Sequence, residues 1–367
     1  MKLLTLSKLE SFIRPYIVSL PPHFVISQYS RARIKLIKKL NEDEIPEEIF
    51  HPPIEYHRKL WGLTFRSPIM NAAGMFKNCE WYEHSYRQGA GAYLGGTSTI
   101  NWRIGNNGQG ILQPFVPYPK SNCASNFLGL PNDGDFINSN RLEKIIKYEN
   151  FPVGWSLSAS SDLHAFDWLK LFTSSLKMYE KAGVDFIEIN ESCPNISQNK
   201  EYNSLEYRLK FIKENFLDQI TRNLPVIVKF SNDTQKEQIP FLMDLLFKLG
   251  YDGVNFGNTS TNYLEIRKKI HHAERKLFDY FTKTFGGGVS GKVLKAKSLE
   301  ICSSAVEYLN HGKPSQEFHV IRTGGIESLD DIKESEKAGI SLNQCFTGYW
   351  ENFSKYGHNV YRQFFRS

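Results

Sequence analysis

The sequence predicts an α/β protein, a (β/α)8 TIM barrel preceded by a two-helix extension. Eight short apolar runs end at or just before Gly, Asn, Ser or Thr, and each is followed by a helix-compatible stretch. The runs cover residues 69–73, 92–97, 154–158, 186–190, 226–230, 253–257, 319–323 and 343–347. Strands that alternate with helices pair in parallel through right-handed crossovers. Eight such units favour a barrel over the alternative, a doubly wound open sheet.

Two domains follow from this organisation: an extension over residues 1–45 and a barrel domain over residues 46–367. At the start of the barrel domain, the segment RKLWGLTFRS at 58–67 predicts a hairpin with Gly62 at its turn. In a barrel, the loops at the carboxyl ends of the strands carry the chemistry. The polar residues that end the apolar runs fit that expectation.

The extension is predicted to form two short amphipathic helices. Ser7 and Glu10 have capping-box spacing, and Pro15 is expected to distort the first helix. Adjacent prolines at 21 and 22 mark the corner, and residues 23–40 place apolar side chains among basic ones at helical spacing.

The positive charge of the chain is concentrated in this extension. The chain has 45 basic and 39 acidic residues, a net charge of +6. Residues 1–40 contain eight basic residues and one acid, so they carry +7 and the remainder carries −1. Because a nucleic-acid binder is expected to carry a basic patch on its body, no nucleic-acid partner is predicted. Basic residues near an anionic bilayer contribute on the order of 1 kcal/mol each. The extension therefore predicts peripheral contact with the inner face of a membrane; the alternative is a solvated basic face on helices that cap the barrel.

Composition predicts a cytoplasmic location for the rest of the chain. No apolar run approaches the roughly 20 residues that a membrane-spanning helix requires. Five cysteines without a CxxC motif are typical of a reducing compartment. The ten histidines have no metal-ligand spacing, so no metal is predicted. The prolines near the N-terminus argue against a secretory signal.

A cysteine and a lysine near predicted strand ends are the first candidates for chemistry. Cys193 follows the fourth run and is flanked by amide side chains, where a thiol can act as a general base. The alternative is a small buried apolar residue. Lys229 interrupts the fifth run, where a lysine is costly unless it meets an anion or an electron-rich ring.

Two glycine-rich segments predict a phosphate site. The segment GGGVSG at 286–291 precedes a helix expected to begin near Lys295, and residues 323–325 close the seventh run. Glycines leave backbone N–H groups free to approach phosphate oxygens, and helix N-termini add a favourable dipole. Tight turns also need glycine, but the segment FTG at 346–348 ends the eighth run, and the loops after strands 7 and 8 often bind phosphate in this fold.

Seven segments in order resemble the FMN-dependent dihydroorotate dehydrogenases. They are NAAGMFKN at 71–78, SNFLGLPNDG at 125–134, EINESCPN at 188–195, VIVKFS at 226–231, GNTST at 257–261, GGGVSG at 286–291 and RTGGIES at 322–328. That family is a (β/α)8 barrel with FMN over the strand ends, and it oxidises dihydroorotate to orotate in pyrimidine biosynthesis.

The resemblance implies a role for each matching position. The residues implied to hold the flavin ring are Ala72, Ala73, Gly74, Lys77, Thr97, Asn190 and Lys229. Those implied to hold its phosphate are Gly288, Gly324, Gly325, Phe346, Thr347 and Gly348. The implied substrate-binding residues are Lys77, Asn126, Asn190, Asn195, Asn258 and Thr259. Cys193 is implied to remove the C5 proton of dihydroorotate while hydride passes from C6 to flavin N5, and Lys229 to offset the charge of the reduced flavin.

Features of two classes of this family are mixed in the chain. Cys193 resembles the soluble class 1 enzymes, because the membrane-associated class 2 enzymes use serine. Lys77 and the corner segment IRPYIVSLPP at 13–22 resemble class 2, whose extension forms the entrance for a quinone. The segment GNNGQG at 105–110 stands where members usually carry a Pro-Arg pair near the acceptor entrance.

A quinone is the predicted electron acceptor, and three alternatives stay open. One is fumarate or another soluble acceptor. The second is a related flavin enzyme that acts on another dihydropyrimidine, and the third is a barrel that has lost catalysis and only binds ligands.

Overall fold

A (β/α)8 barrel forms the body of the protein, which confirms the predicted fold class. The computed structural model describes residues 2–159, 165–191, 205–312 and 314–365. The barrel strands are β1 Ile69–Asn71, β2 Tyr93–Ser98, β3 Val153–Leu157, β4 Phe186–Asn190, β5 Val226–Phe230, β6 Gly253–Phe256, β7 His319–Thr323 and β8 Leu342–Cys345. They pair in parallel in sequence order from β2 to β8, and β8 pairs with β1.

Helices precede the barrel and surround it. They are α1 Leu3–Ile17, α2 Pro22–Leu40, α3 Tyr82–Gln88, α4 Asp135–Leu142, α5 Ala165–Lys181, α6 Leu205–Asn215, α7 Ile239–Leu249, α8 Tyr263–Lys269, α9 Arg275–Phe285, α10 Lys295–His311, α11 Leu329–Lys337 and α12 Thr347–Tyr356. Among the described residues, no helix is both long and apolar enough to cross a bilayer.

Predicted and observed strand ends agree within two residues. Parallel strands covered on both faces appear in a sequence as continuous apolar runs, so their limits are easily recognised. The largest differences are at β1, which ends at Asn71 rather than 73, and at β8, which ends at Cys345 rather than 347. At β8 the reason is that Thr347 already begins α12.

Asn71 closes the barrel between β1 and β2. Its Nδ2 donates to Leu94 O at 2.6 Å, and its Oδ1 accepts from Leu94 N at 3.1 Å. Gly74 N also donates to Gly96 O at 2.6 Å. A side-chain amide therefore supplies hydrogen bonds that the short strand β1 does not make with its own backbone.

The two predicted extension helices are confirmed, but the predicted capping box is wrong. Helix α1 begins at Leu3, so Ser7 and Glu10 lie inside it. Glu10 instead accepts a hydrogen bond from Arg14 Nε at 2.8 Å, and Arg14 also pairs with Glu351 of α12. The predicted distortion at Pro15 does not end α1, which continues to Ile17.

Helix α2 joins the extension to the barrel through a second apolar core. Val25 and Ile26 are completely buried, and they belong to a cluster that includes Val116 and Phe281. Arg33, on the same helix, reaches the barrel and donates to Gln113 Oε1 at 3.0 Å. The extension therefore packs on the barrel rather than lying apart from it.

Small antiparallel sheets form separately from the eight barrel strands. The hairpin Arg58–Leu60 with Leu63–Phe65 confirms the predicted turn at Gly62. A three-stranded sheet contains Phe115–Tyr118, Cys123–Asn126 and Gly288–Gly291. The glycine-rich segment at 286–291 is therefore partly a strand and not a free loop, because antiparallel pairing occupies part of its backbone. Helix α10 begins at Lys295 as predicted.

Candidate active site

A cleft that is open to solvent lies at the carboxyl ends of the barrel strands. Fifteen of the predicted site residues line it: Ala72, Ala73, Gly74, Lys77, Thr97, Asn126, Asn190, Lys229, Asn258, Thr259, Gly324, Gly325, Phe346, Thr347 and Gly348. Cys193 and Asn195 lie outside the described residues. The structure thus brings together side chains that are separated by up to 276 positions in the chain.

Gly288 is the described predicted residue that the cleft does not include. It pairs with Asn126 in the three-stranded sheet, and its carbonyl accepts from Asn126 Nδ2 at 3.2 Å. Ser290 and Gly291 of the same strand line the cleft instead. The role of Gly288 at the phosphate therefore stays a prediction, and Ser290 and Gly291 are the residues of this strand that line the cleft.

A chain of short polar side chains crosses one wall of the cleft. Thr97 Oγ1 lies 3.0 Å from Ser156 Oγ and accepts from Asn190 Nδ2 at 3.3 Å. Asn190 Oδ1 accepts in turn from Asn258 Nδ2 at 3.0 Å. These contacts link the ends of β2, β3, β4 and the loop after β6, so they fix the orientation of two carboxamides that line the cleft.

A buried ion pair lies beneath the cleft floor. Lys229 Nζ, on β5, donates to Glu188 Oε1 of β4 at 3.2 Å, and Glu188 is completely buried. Glu188 Oε2 accepts from Asn255 Nδ2 at 2.7 Å and from Gln344 Nε2 at 2.8 Å. The anion that the sequence requires for Lys229 is therefore Glu188. Lys229 and Gln344 line the cleft, whereas Glu188 lies one layer deeper.

Backbone turns and a helix N-terminus form a cradle at the far end of the cleft. Gly324 and Gly325 have positive φ angles of +135° and +76°. A Cβ on Gly348, in the first turn of α12, would lie 2.3 Å from Ile326 O. Helix α12 has no side-chain cap at its N-terminus, so its first N–H groups are available to a ligand. Such an N-terminus is suited to bind phosphate.

Three cations and no carboxylate occur among the described residues that line the cleft. Arg33 comes from α2, Lys77 follows β1 and Lys229 lies on β5. Burial lowers the pKa of Arg33 to about 10, so its guanidinium stays charged at neutral pH. Like charges in a low-dielectric cleft produce a potential that attracts a ligand of opposite sign. The cleft therefore favours anionic ligands.

Cys345 also lines the cleft but is not suited to be a base. It is 1% exposed, and burial raises the pKa of its thiol to about 12. At neutral pH this thiol keeps its proton, and the thiolate is the reactive form of cysteine.

Sequence reasoning missed several polar residues of the site. Glu188 stands in an otherwise apolar run, which is the same signal that identified Lys229. Arg33 was counted only as part of the basic extension, and nothing in its local sequence indicates that α2 directs it into the cleft. Asn232 and Gln344 also line the cleft and follow or belong to strands without a recognisable motif.

The fold and the cleft define a class of protein: a (β/α)8 barrel whose strand ends form a cleft lined by glycine turns, a helix N-terminus, carboxamides and cationic side chains. Comparison with known protein families matches residues 56–364 to "Dihydroorotate dehydrogenase". The chain belongs to the dihydroorotate dehydrogenase family.

Curated relatives align over most of the chain. The "Dihydroorotate dehydrogenase (quinone)" of Sulfurimonas denitrificans is 26% identical over 344 residues, which is 92% of this chain and 88% of that protein. The protein of the same name from Christiangramia forsetii is 24% identical over 350 residues, 93% of this chain and 94% of that one.

A solved structure supports the fold. The crystal structure of DHODH from Eimeria tenella in complex with ferulenol superposes with a TM-score of 0.74 at 20% identity, and covers 91% of this chain and 88% of that one. The ligand-free form gives the same TM-score. At 20% identity this likeness supports the (β/α)8 fold alone.

Proposed function

We propose that this protein catalyses the FMN-dependent oxidation of dihydroorotate to orotate in pyrimidine biosynthesis and passes the electrons to a quinone. The observation that carries the proposal is the cleft itself: its described lining combines three cations and no carboxylate with carboxamides, glycine turns and a helix N-terminus. The names of the curated relatives support the same substrate and acceptor.

The residues present fit FMN. Gly324, Gly325 and the first turn of α12 offer N–H groups where the phosphate would bind, and Ser290 Oγ lies 2.9 Å from Thr347 Oγ1 at the same place. A Cβ on Gly325 would lie 2.7 Å from Lys295 Cα, so this close packing of the cradle requires glycine. The ring would lie against four residues that follow β1 and against one residue each of β2, β4 and β5: Ala72, Ala73, Gly74, Lys77, Thr97, Asn190 and Lys229.

Dihydroorotate has a carboxylate and a ring with several hydrogen-bond donors and acceptors. The carboxamides of the cleft can form hydrogen bonds with both parts. Asn126, Asn190 and Asn258 each carry an amide with two N–H donors and one acceptor oxygen, and the protein contacts that use part of this capacity hold the amides in place. Lys77 lines the same cleft and is suited to bind the carboxylate. Asn195 and Thr259 complete the proposed set.

Cys193 is the proposed general base that takes the proton from C5 of dihydroorotate. When bound, FMN would supply a two-electron acceptor for the hydride from C6. Lys229 would provide the positive charge that offsets the negative charge gained on reduction. The proposed base would thus remove the proton, and the cation would stabilise the reduced cofactor.

The extension is proposed to bring the acceptor to the cleft at a membrane surface. Phe12 and Tyr16 of α1 are 73% and 70% exposed, and Leu9, Leu20 and Phe24 are also exposed. An amphipathic helix pair with exposed apolar side chains and a charge of +7 is suited to peripheral attachment. Arg33 of α2 lies where the extension meets the cleft.

Two linked measurements test the proposal. Anaerobic addition of dihydroorotate to the purified, FMN-loaded protein is expected to bleach the flavin absorbance. Reoxidation is then followed in competition between a quinone analogue, fumarate and NAD, and the quinone analogue is expected to be fastest. A flavin that stays oxidised with dihydroorotate but is bleached by another reduced pyrimidine would assign the substrate differently.

A further inference from the structure

Asn232 carries a buried hydrogen-bond acceptor in the wall of the cleft. It lies two residues beyond the end of β5 and is 1% exposed. Its Oδ1 accepts no hydrogen bond from any described residue. Buried polar atoms in native proteins are nearly always satisfied, so each exception requires an explanation.

The orientation of the Asn232 amide follows from its other contacts. Nδ2 donates to Asn258 O at 2.5 Å and to Thr323 O at 3.2 Å. Exchanging nitrogen and oxygen would place Oδ1 against two carbonyl oxygens, which are acceptors only. The loop is also held in place, because Asp233 accepts from Thr261 N at 2.7 Å. Oδ1 is therefore left without a donor, and Asn232 lines the cleft.

Asn232 lies between the two ends of the proposed cofactor site. Lys229, three residues earlier, belongs to the layer proposed to face the flavin ring. Gly324 belongs to the proposed phosphate cradle, and a Cβ built on it would lie 3.4 Å from Asn232 Oδ1. A ligand group that meets Oδ1 is therefore the part of the cofactor that connects its ring to its phosphate.

We propose that Asn232 Oδ1 accepts a hydrogen bond from a hydroxyl of the polyol chain of FMN. The inference rests on the proposed FMN site. The polyol chain joins ring and phosphate, and its hydroxyl groups are donors. A phosphate dianion offers only acceptors and would be repelled by Oδ1. Asn232 is thus a cofactor-binding residue that recognises the chain rather than either end of the molecule.

Deoxy analogues of FMN test the contact directly. The 2′-, 3′- and 4′-deoxy forms are each set in equilibrium competition against FMN on the holoprotein, and the two bound flavins are released and quantified separately by mass spectrometry. The wild-type protein is expected to bind one of the three about tenfold more weakly than FMN. In Asn232→Leu that penalty is expected to vanish, while affinity for FMN itself falls about fivefold to tenfold. Equal penalties in both proteins would overturn the contact, because coupling between two partners appears only when both are present.

Asn343→Leu is the matched control. Asn343 is completely buried, and its Oδ1 likewise accepts no hydrogen bond from a described residue, but it does not line the cleft. Its substitution is expected to leave FMN affinity unchanged. An equal loss of FMN in both variants would overturn the proposal, since it would indicate a general packing effect.

The outcomes also separate this inference from the proposed function. If Asn232→Leu does not fold, the analogue series on the wild-type protein still decides, because undiminished affinity for all three analogues overturns the contact. A protein that binds no FMN contradicts the proposed function. The other outcome is that the protein binds FMN, its flavin is bleached by dihydroorotate, and all three analogues bind as tightly as FMN. That outcome contradicts only the role of Asn232.

Discussion

Lys229 Nζ lies 3.2 Å from Glu188 Oε1 inside the barrel, where Glu188 is completely buried and Lys229 is 3% exposed. The carboxylate also accepts from Asn255 and Gln344, so three donors from three strands meet one acid. This layer gives a charged side chain a defined position below the cleft. Each buried charge compensates the other, so the free energy of burying them stays low only while both are present.

Glu188→Gln is expected to lower the free energy of unfolding by about 3–5 kcal/mol, because breaking one side of a buried pair leaves a charge uncompensated. The double variant E188M/K229M is expected to lose less, since no isolated charge remains. Urea unfolding of the three proteins without added cofactor measures both values. A double variant less stable than Glu188→Gln would contradict this account of the layer.

Arg208→Met is expected to reduce turnover about tenfold or more with little change in FMN affinity. Arg208 Nη2 lies 2.6 Å from Glu191 Oε2, and both side chains are 9% exposed. Glu191 precedes the proposed base Cys193 by two residues, so the pair anchors the chain next to it. Small displacements of a reacting group have large kinetic costs. Steady-state kinetics and flavin fluorescence measure the two quantities.

Lys210→Met is the control for Arg208→Met. Lys210 lies on the same helix and pairs with Glu214, but both side chains are more than half exposed. Such pairs contribute little, so its kinetics are expected to match the wild type. Equal losses in the two variants would contradict a specific role for Arg208.

Cys193→Ser is expected to slow flavin reduction strongly near neutral pH and to remove the thiol-like rise of the wild-type rate with pH. A hydroxyl is a far weaker acid than a thiol, so much less of it is in the basic form. Stopped-flow bleaching by dihydroorotate over a range of pH gives the profile. Cys302→Ser is the control, because burial raises the pKa of that thiol to about 12 and Cys302 does not line the cleft. An undiminished Cys193→Ser enzyme would exclude Cys193 as the base.

The double variant F12S/Y16S is expected to lose binding to anionic liposomes and to slow quinone reduction, while bleaching by dihydroorotate is unchanged. These two rings are the most exposed apolar side chains of α1. Their loss removes apolar contact but leaves the buried face of α2 on the barrel. Phe136→Ser, which alters a residue 66% exposed on the barrel domain, is the control. Liposome binding that survives in F12S/Y16S would refute attachment through α1.

His358→Gln is expected to move the midpoint of acid unfolding to lower pH. Burial lowers the pKa of His358 to about 4 and also lowers the pKa of His84 beside it. Both histidines then bind protons more weakly in the folded state, so their stabilisation is present above about pH 6.5 and is lost as the pH falls towards 4. Burial raises the pKa of Asp43, which lies 3.5 Å from His358, and this opposes the trend.

Circular dichroism during acid titration measures that midpoint. His51→Gln is the matched control, because His51 is exposed. An unchanged midpoint in His358→Gln would show that the acid sensitivity arises elsewhere in the chain.

Local pattern was sufficient for the strands, whereas most of the cleft residues were named from the family resemblance. A barrel strand buried on both faces is mostly apolar, and polar residues follow at its end, so 186–190 and 226–230 were recognisable without a structure. The strand pairing of Gly288 was not recognisable in this way. Pairing between Gly288 and Asn126 joins residues 162 positions apart, and glycine content alone does not distinguish a free loop from a strand.

From its order of residues alone, this protein is identifiable as an eight-stranded barrel with a cationic extension, because hydrophobic periodicity and charge are local properties of the chain. The partners of its polar groups were decided only in three dimensions. Glu188 reaches Lys229 from the neighbouring strand, Arg33 reaches the cleft from helix α2, and Asn232 lines the cleft while two distant carbonyls hold its nitrogen. Such contacts depend on how strands and helices pack, and no spacing along the sequence encodes the distance between two side chains on different elements.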